Sequence, residues 1–203
     1  MTRNSRSTVT LIAASALALA ACSQGEAPPI ENGDIAMGEN VGAGDDAGNA
    51  VAGAPTSFAL TGGDGATRGS VTIAEDAAGL TMNFSASGLP AGVHGIHLHE
   101  KGLCEGPKFA SAGGHWNPAA KKHGRDNPAG AHLGDLANLE VGANGTASVS
   151  IPVEGVMMAS GANMLADADG TALVIHAKAD DYKTDPSGAS GDRIACAVLA
   201  AAK

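Results

Sequence analysis

From Phe58 to the C-terminus the chain reads as short stretches in which apolar and polar residues alternate. "SFALT" (57–61), "GSVTIAE" (69–75) and "LTMNFSA" (80–86) follow this pattern, the last two separated by Asp76-Ala77-Ala78-Gly79. "VHGIHLH" (93–99) follows the turn "GLPAG", and "TASVSIPV" (146–153) follows Asn144-Gly145. "ALVIHAK" (172–178) follows Asp169-Gly170, and "RIACAVLA" (193–200) completes the series. A period of two marks a strand with one buried face, and Gly, Asn and Asp between such runs mark tight turns. The pattern predicts an antiparallel β-sandwich or barrel. Between His99 and Leu139 the alternation lapses, and a loop of that length in a compact domain points to function.

Composition narrows this picture. Gly (29) and Pro (9) exceed a sixth of the 203 residues, which fits many turns and excludes a helical bundle. Aromatic residues are only 2% of the chain, so the core must rest on Val, Ile, Leu, Ala and Met. The formal charge is −9. Residues 22–57 carry six acids and no Lys or Arg, and they show no apolar periodicity. That stretch is expected to be a flexible, self-repelling tether, with the folded domain over 58–203. Neither part has the basic cluster that nucleic acid requires.

Residues 1–21 read as an export signal. "MTRNSR" is basic, "TVTLIAASALALAA" is a short apolar run, and small residues precede Cys22. Leu19-Ala20-Ala21-Cys22 resembles a bacterial lipoprotein cleavage site, which would leave a lipid on Cys22. The protein is then expected in the cell envelope, anchored at the periplasmic side or the outer membrane, with the lipid as its only contact with membrane. If Cys22 is acylated, Cys104 and Cys196 remain as a pair in an oxidising compartment, where a disulfide persists; two free thiols are the alternative.

Seven histidines are present, none before residue 94. His97 and His99 are two apart on an expected strand and project from one face, with Ile96 and Leu98 turned to the other. His94 is offset by an odd number from both and falls opposite. "GGHWNPAAKKHGRDNPAGAHLGD" places His115, His123, His132 and Asp135 in the long loop, and "VIHAK" presents His176 on a late strand. Several imidazoles with one carboxylate suit Zn²⁺ or Cu²⁺.

"HGIHLHE", "SAGGHWNP", "HLGDL", "VIHAKADDY" and "GDRIAC", in this order, resemble copper–zinc superoxide dismutase over roughly residues 58–203. The resemblance implies an all-β fold, an eight-stranded Greek-key β-barrel with long metal-binding loops. It implies copper on His97, His99, His115 and His176, and zinc on His115, His123, His132 and Asp135, with His115 shared. Asp180 matches the outer carboxylate that links a histidine of each set, Arg193 matches the arginine beside the copper, and Cys104 with Cys196 matches the family disulfide. The implied activity is conversion of superoxide to O₂ and H₂O₂, with His115 and Arg193 as the catalytic pair. Both a monomer and a homodimer remain open.

Some positions depart from the family pattern. Ile96 replaces an aromatic residue, Asp192 directly precedes Arg193, and the stretch from His176 to Arg193 is short. An adjacent carboxylate would partly neutralise the arginine. Lys121, Lys122, Arg125, Lys178 and Lys183 are candidates for steering the anion to the site. The rival readings are a non-catalytic copper-binding or copper-delivery module on the same fold, and a zinc-only domain that would leave His97, His99 and His176 unexplained.

Overall fold

The computed structural model describes residues 54–203; the export signal, Cys22 and most of the expected tether lie outside them. Among the described residues nine strands form: β1 (Thr56–Gly62), β2 (Thr67–Asp76), β3 (Gly79–Ala86), β4 (Gly92–His94), β5 (Ile96–His99), β6 (Leu139–Val141), β7 (Ala147–Glu154), β8 (Thr171–His176) and β9 (Arg193–Ala200). Among the described residues the helical content is one short 3₁₀ turn at Ala110–Ala112. Seven strands make an antiparallel sheet in the order β5-β8-β9-β1-β2-β3-β7, and β4 pairs with β6 in a two-stranded ribbon. The neighbours β5/β8, β9/β1 and β3/β7 are distant in sequence, as in a Greek key.

β4 runs into β5 across Gly95, and β6 leads into β7 through the turn at Gly142–Thr146. The ribbon therefore joins the two edges of the sheet, and the sheet curls into a barrel. Pro152 lies on β7, an edge strand of the sheet, where its missing N–H interrupts no central ladder.

One expectation needs correction. The sequence read 93–99 as a single strand, but it divides at Gly95. Here Gly95 N–H donates to Lys178 O (2.8 Å), while Gly95 O accepts from His176 N–H (2.9 Å). A Cβ at Gly95 would meet Ser190 Cβ at 3.0 Å and Asp180 Cβ at 3.3 Å, so the loop after β8 crosses closely there and a side chain would have to push it back. Counting β4 and β5 together restores eight strands. The short β6, at the end of the long loop, had too few residues for an alternation to register.

The barrel core takes the alternating positions foreseen: Val71 and Ile73, Leu80, Met82 and Phe84, Ile96 and Leu98, Leu173 and Ile175 are all buried together. β5 and β8 are buried on both faces. Ala172 and Val174, on the outer face of β8, pack against Phe109, Ala112 and Cys196. Long loops thus cover the outside of the barrel over β5 and β8, and there the histidines meet.

Candidate metal centre

The long loop reaches the site by borrowing the free edge of β5. Trp116 N–H donates to Leu98 O (2.8 Å), Leu98 N–H to Gly134 O (2.9 Å), and Leu136 N–H to Ile96 O (3.3 Å). These bonds set His115 opposite His99 and Asp135 opposite His97. Trp116 is buried in the core and pins the first of these segments. Two loop segments with no strand-like sequence are thereby held in register with the strand bearing His97 and His99.

His97, His99, His115 and His176 have ligand atoms within 4.8 Å of one another. Each ring is fixed at one nitrogen. His97 Nε2 lies 2.8 Å from Asp180 Oδ2, His99 Nδ1 3.0 Å from Gly113 O, His115 Nδ1 3.0 Å from Asp135 Oδ1, and His176 Nδ1 3.2 Å from Gly191 O. The opposite nitrogens, His97 Nδ1, His99 Nε2, His115 Nε2 and His176 Nε2, are buried and have no hydrogen-bond partner. Buried polar atoms are normally satisfied, and among the described residues these four side-chain atoms are the exceptions. For His97, His99 and His176, outer acceptors that hold a proton on one nitrogen leave a lone pair on the other, which is what a metal ligand needs.

Burial and the neighbouring His115 and Arg193 charges push His99 down to about 2. Burial, with His97 beside it, takes His176 down to about 3. Burial also takes His115 down to about 4, against the opposing pull of Asp135. All three are therefore neutral at pH 7, as ligation requires.

A second cluster centres on Asp135. Nδ1 of His115, His123 and His132 stand 3.0, 3.0 and 3.1 Å from Asp135 Oδ1. Asp135 Oδ2 accepts from Gly124 N–H (2.8 Å) and His132 N–H (3.0 Å), which fixes the carboxylate plane. Burial would raise the Asp135 pKa, but the His115 hydrogen bond, the Gly124 N–H and the adjacent imidazoles outweigh it and hold the group well below the usual carboxylate range. His123 Nε2 also lies 3.0 Å from Asp180 Oδ1. A neutral imidazole has one proton and cannot donate to both carboxylates. A cation among the three nitrogens and Oδ1 resolves the conflict, and tetrahedral Zn²⁺ bonds of 2.0–2.1 Å set ligand atoms about 3.3 Å apart. Ligand atoms of His97, His115, His123 and Asp135 also fall within 4.8 Å of one another. His97 Nε2, however, is engaged by Asp180 while His132 Nδ1 faces Asp135, so His132 is the better fourth member.

Asp180 spans the two clusters, with Oδ2 on His97 and Oδ1 on His123. Burial would raise it, yet those two bonds and the Tyr182 N–H bring it down to about 2. Asn138 holds it from behind, donating Nδ2–H to Asp180 O (3.0 Å) and accepting from Asp180 N–H (2.9 Å). Arg193 is half-buried, donates to Phe109 O and Gly113 O (both 2.6 Å), and faces His176 across the β8–β9 ladder. Gly113 O therefore receives both His99 and Arg193. Cys104 and Cys196 form a disulfide that ties the start of the long loop to β9.

With this geometry in place, the family comparison is decisive. The family model described as copper/zinc superoxide dismutase (SODC) matches residues 67–199. The chain belongs to that family. It is 46% identical over 139 residues to the superoxide dismutase-like protein YojM of Bacillus subtilis strain 168, covering 67% of this chain and 71% of the relative. It is 43% identical over 140 residues to a Cu-Zn superoxide dismutase of Caulobacter vibrioides, covering 68% and 80%. The crystal structure of a SOD-like protein from Bacillus subtilis superposes with a TM-score of 0.69 at 42% identity, covering 72% of this chain and 99% of that one. Copper and zinc are the metals of this superoxide dismutase family, and the two clusters offer donors suited to them.

All six histidines of the expected set converge, and His94 stands apart. His94 lies on β4 with its ring nitrogens 2.8 Å from His176 O and 2.9 Å from Pro90 O. The steering candidates fare less evenly. Lys122 pairs with Asp185 (3.0 Å) and Arg125 stacks on the Tyr182 ring (3.7 Å). Lys108, which sequence reasoning passed over, lines an open recess of 620 Å³ together with Pro107, Ala110, Gly191, Asp192 and Arg193. Its one sequence signal is its place in the segment that Cys104 tethers.

Proposed function

We propose that the protein dismutates superoxide to O₂ and H₂O₂, with copper held by His97, His99, His115 and His176 and zinc held by His115, His123, His132 and Asp135. The carrying observation is the four buried, unpartnered imidazole nitrogens beside a carboxylate ringed by three more. Copper supplies the one-electron oxidation and reduction that the reaction needs, and zinc, which has no redox chemistry, supplies positive charge.

The chain's own residues do the rest. Arg193, half-buried and permanently charged, attracts and orients the anion, and its two bonds to backbone carbonyls fix where it points. His115 presents one nitrogen to each cluster, so its Nε2 is placed to hold a proton and pass it to reduced substrate. Asp180 keeps His97 and His123 in matching tautomers. The covering loops exclude bulk water from the ligands, which strengthens each electrostatic contact.

We also read residues 1–21 as a lipoprotein signal, Cys22 as the lipid-bearing residue, and 22–57 as an acidic tether, with β1 beginning at Thr56 within its last residues. The basic, apolar and small-residue order of the N-terminus supports this. Among the described residues no helix is long and apolar enough to cross a membrane.

The test is superoxide consumption per bound copper, measured on the full chain loaded with copper and zinc. A rate near 10⁸–10⁹ M⁻¹s⁻¹, on the order of the diffusional ceiling, is expected. Tight binding of both metals without turnover would move the protein to the copper-binding or copper-delivery class, which the complete ligand set and Arg193 argue against.

A further inference from the structure

The recess beside Arg193 holds three charges of mixed sign. Of its six lining residues, Lys108 and Arg193 are cationic and Asp192 is anionic. Lys108 and Asp192 are exposed, and Arg193 is half-buried with NH1 and NH2 donating to Phe109 O and Gly113 O. Gly191, in the same lining, accepts the His176 ring hydrogen bond through its carbonyl, so the recess opens directly beside the copper cluster. The lining side chains sum to +1, where the two cations alone would give +2.

We propose that Asp192 is a specificity-determining residue that narrows the electrostatic preference of this recess for dianions over small monovalent anions, with Lys108 keeping its sign positive. The proposal rests on the reading of Arg193 as the anion-binding residue. Its physical basis is that Coulomb energy is proportional to ligand charge. Asp192 lowers the potential in the recess by a fixed amount, and a dianion loses twice what a monoanion loses. A site of +2 beside the metal would collect sulfate and phosphate, which would block a small monovalent substrate. At +1 the substrate is still attracted while the dianion's advantage is cut. The departure from the family pattern that seemed to weaken anion capture thus acts as a charge filter.

The relation between the two effects needs no fitted constant. If Asp192→Asn strengthens binding of a monoanion by a factor f, it strengthens a dianion of the same shape by f squared. At a separation of roughly 7 Å across solvent with the dielectric of bulk water and at low ionic strength, f is about threefold and its square about tenfold.

Perchlorate and sulfate are both tetrahedral and differ by one charge. Each is titrated at low ionic strength into the reduced, diamagnetic holoprotein, following the Arg193 Nε–H resonance. Comparing each anion only with itself across variants removes its intrinsic affinity. Asp192→Asn should tighten perchlorate about threefold and sulfate about tenfold, while Asp192→Glu, which retains the charge, should leave both near the parent values. Lys108→Gln should weaken both, sulfate again by the square. Equal factors for the two anions, or no change in either, would overturn the filter. An Arg193 resonance that responds to neither anion in any variant would overturn the anion-binding reading of Arg193 and the filter with it, whereas failure of turnover alone would show in the copper-normalised rate and leave these titrations intact.

Discussion

Removing the Cys104–Cys196 disulfide should damage stability and the active site by two separable routes. The bond joins residues 92 apart in sequence. In the chain-entropy treatment a loop of that size stabilises by about 4–5 kcal/mol, because the unfolded chain loses that freedom while the folded chain does not. For a domain of this size that corresponds to a fall in Tm of roughly 10–15 °C. The second route is local. Cys196 is 1% exposed and packs with Phe109, Ala112 and Val174, while Phe109 O and Gly113 O are the acceptors that orient Arg193. Freed from Cys196, the segment from Cys104 to Gly113 keeps its packing and hydrogen bonds such as Lys101 N–H to Ala112 O (3.1 Å) but loses its covalent tie to β9, so the carbonyls that direct the guanidinium are held less firmly.

The assay is guanidinium unfolding and superoxide turnover of the metal-loaded parent and of Cys104→Ala/Cys196→Ala. The double variant should lose about 4 kcal/mol and should also turn over more slowly per bound copper at a temperature where it is fully folded. A loss below about 1 kcal/mol would refute the loop-entropy argument. An unchanged rate in the folded variant would refute the claim that the disulfide positions Arg193 through the Phe109 and Gly113 carbonyls.

The remaining expectations concern the histidines and the loop that covers them. His115→Ala takes one nitrogen from each cluster and should lower turnover per bound copper by at least about a hundredfold; His94→Ala, which breaks contacts to His176 O and Pro90 O, should cost about 1–3 kcal/mol of stability with far less effect on rate. Equal losses of rate would undo the assignment. Metal-free protein should weaken as pH falls below 6.5: His99, His115 and His176 titrate lower when folded than when unfolded, at about 2, 4 and 3, so the unfolded chain binds protons first. Each contributes a slope of about 1.4 kcal/mol per pH unit between 6.5 and its folded value, and unfolding midpoints that rise on acidification would contradict this. Gly188→Ala would set a Cβ against Asp180 Oδ1 and within 2.7 Å of His123 Nε2 at a φ of +64°, where L-residues are strained. Competition with a chelator should show at least about tenfold weaker zinc binding, and unchanged affinity would mean that Asp180 does not need its present position.

Much of this protein was legible in one dimension. Period-two alternation is a local property, and it placed β1, β2, β3, β7, β8 and β9 to within a residue or two because half-buried strands must alternate. Spacing alone put His97 and His99 on one face, and chemistry grouped the remaining histidines with Asp135, since imidazoles crowded into one loop have few uses besides metal. The resemblance to the superoxide dismutases then named the partners.

Other features depended on the folded chain. The break at Gly95 arises because the loop after β8 needs room there, and no local signal encodes a crossing made by residues more than 80 positions away. His115 and Asp135 reach the site through backbone bonds to β5, which any sequence can make, so the loop carried no trace of them. The choice of nitrogen on each ring is set by Gly113 O, Gly191 O, Asp135 and Asp180, all supplied from elsewhere in the chain. Lys108 and Asp192 are 84 residues apart and share one recess. Sequence determines which groups are present and which face of a strand they take, because those follow from covalent geometry. Tertiary structure decides which lone pairs meet, because that depends on distances between segments the chain pattern leaves unrelated.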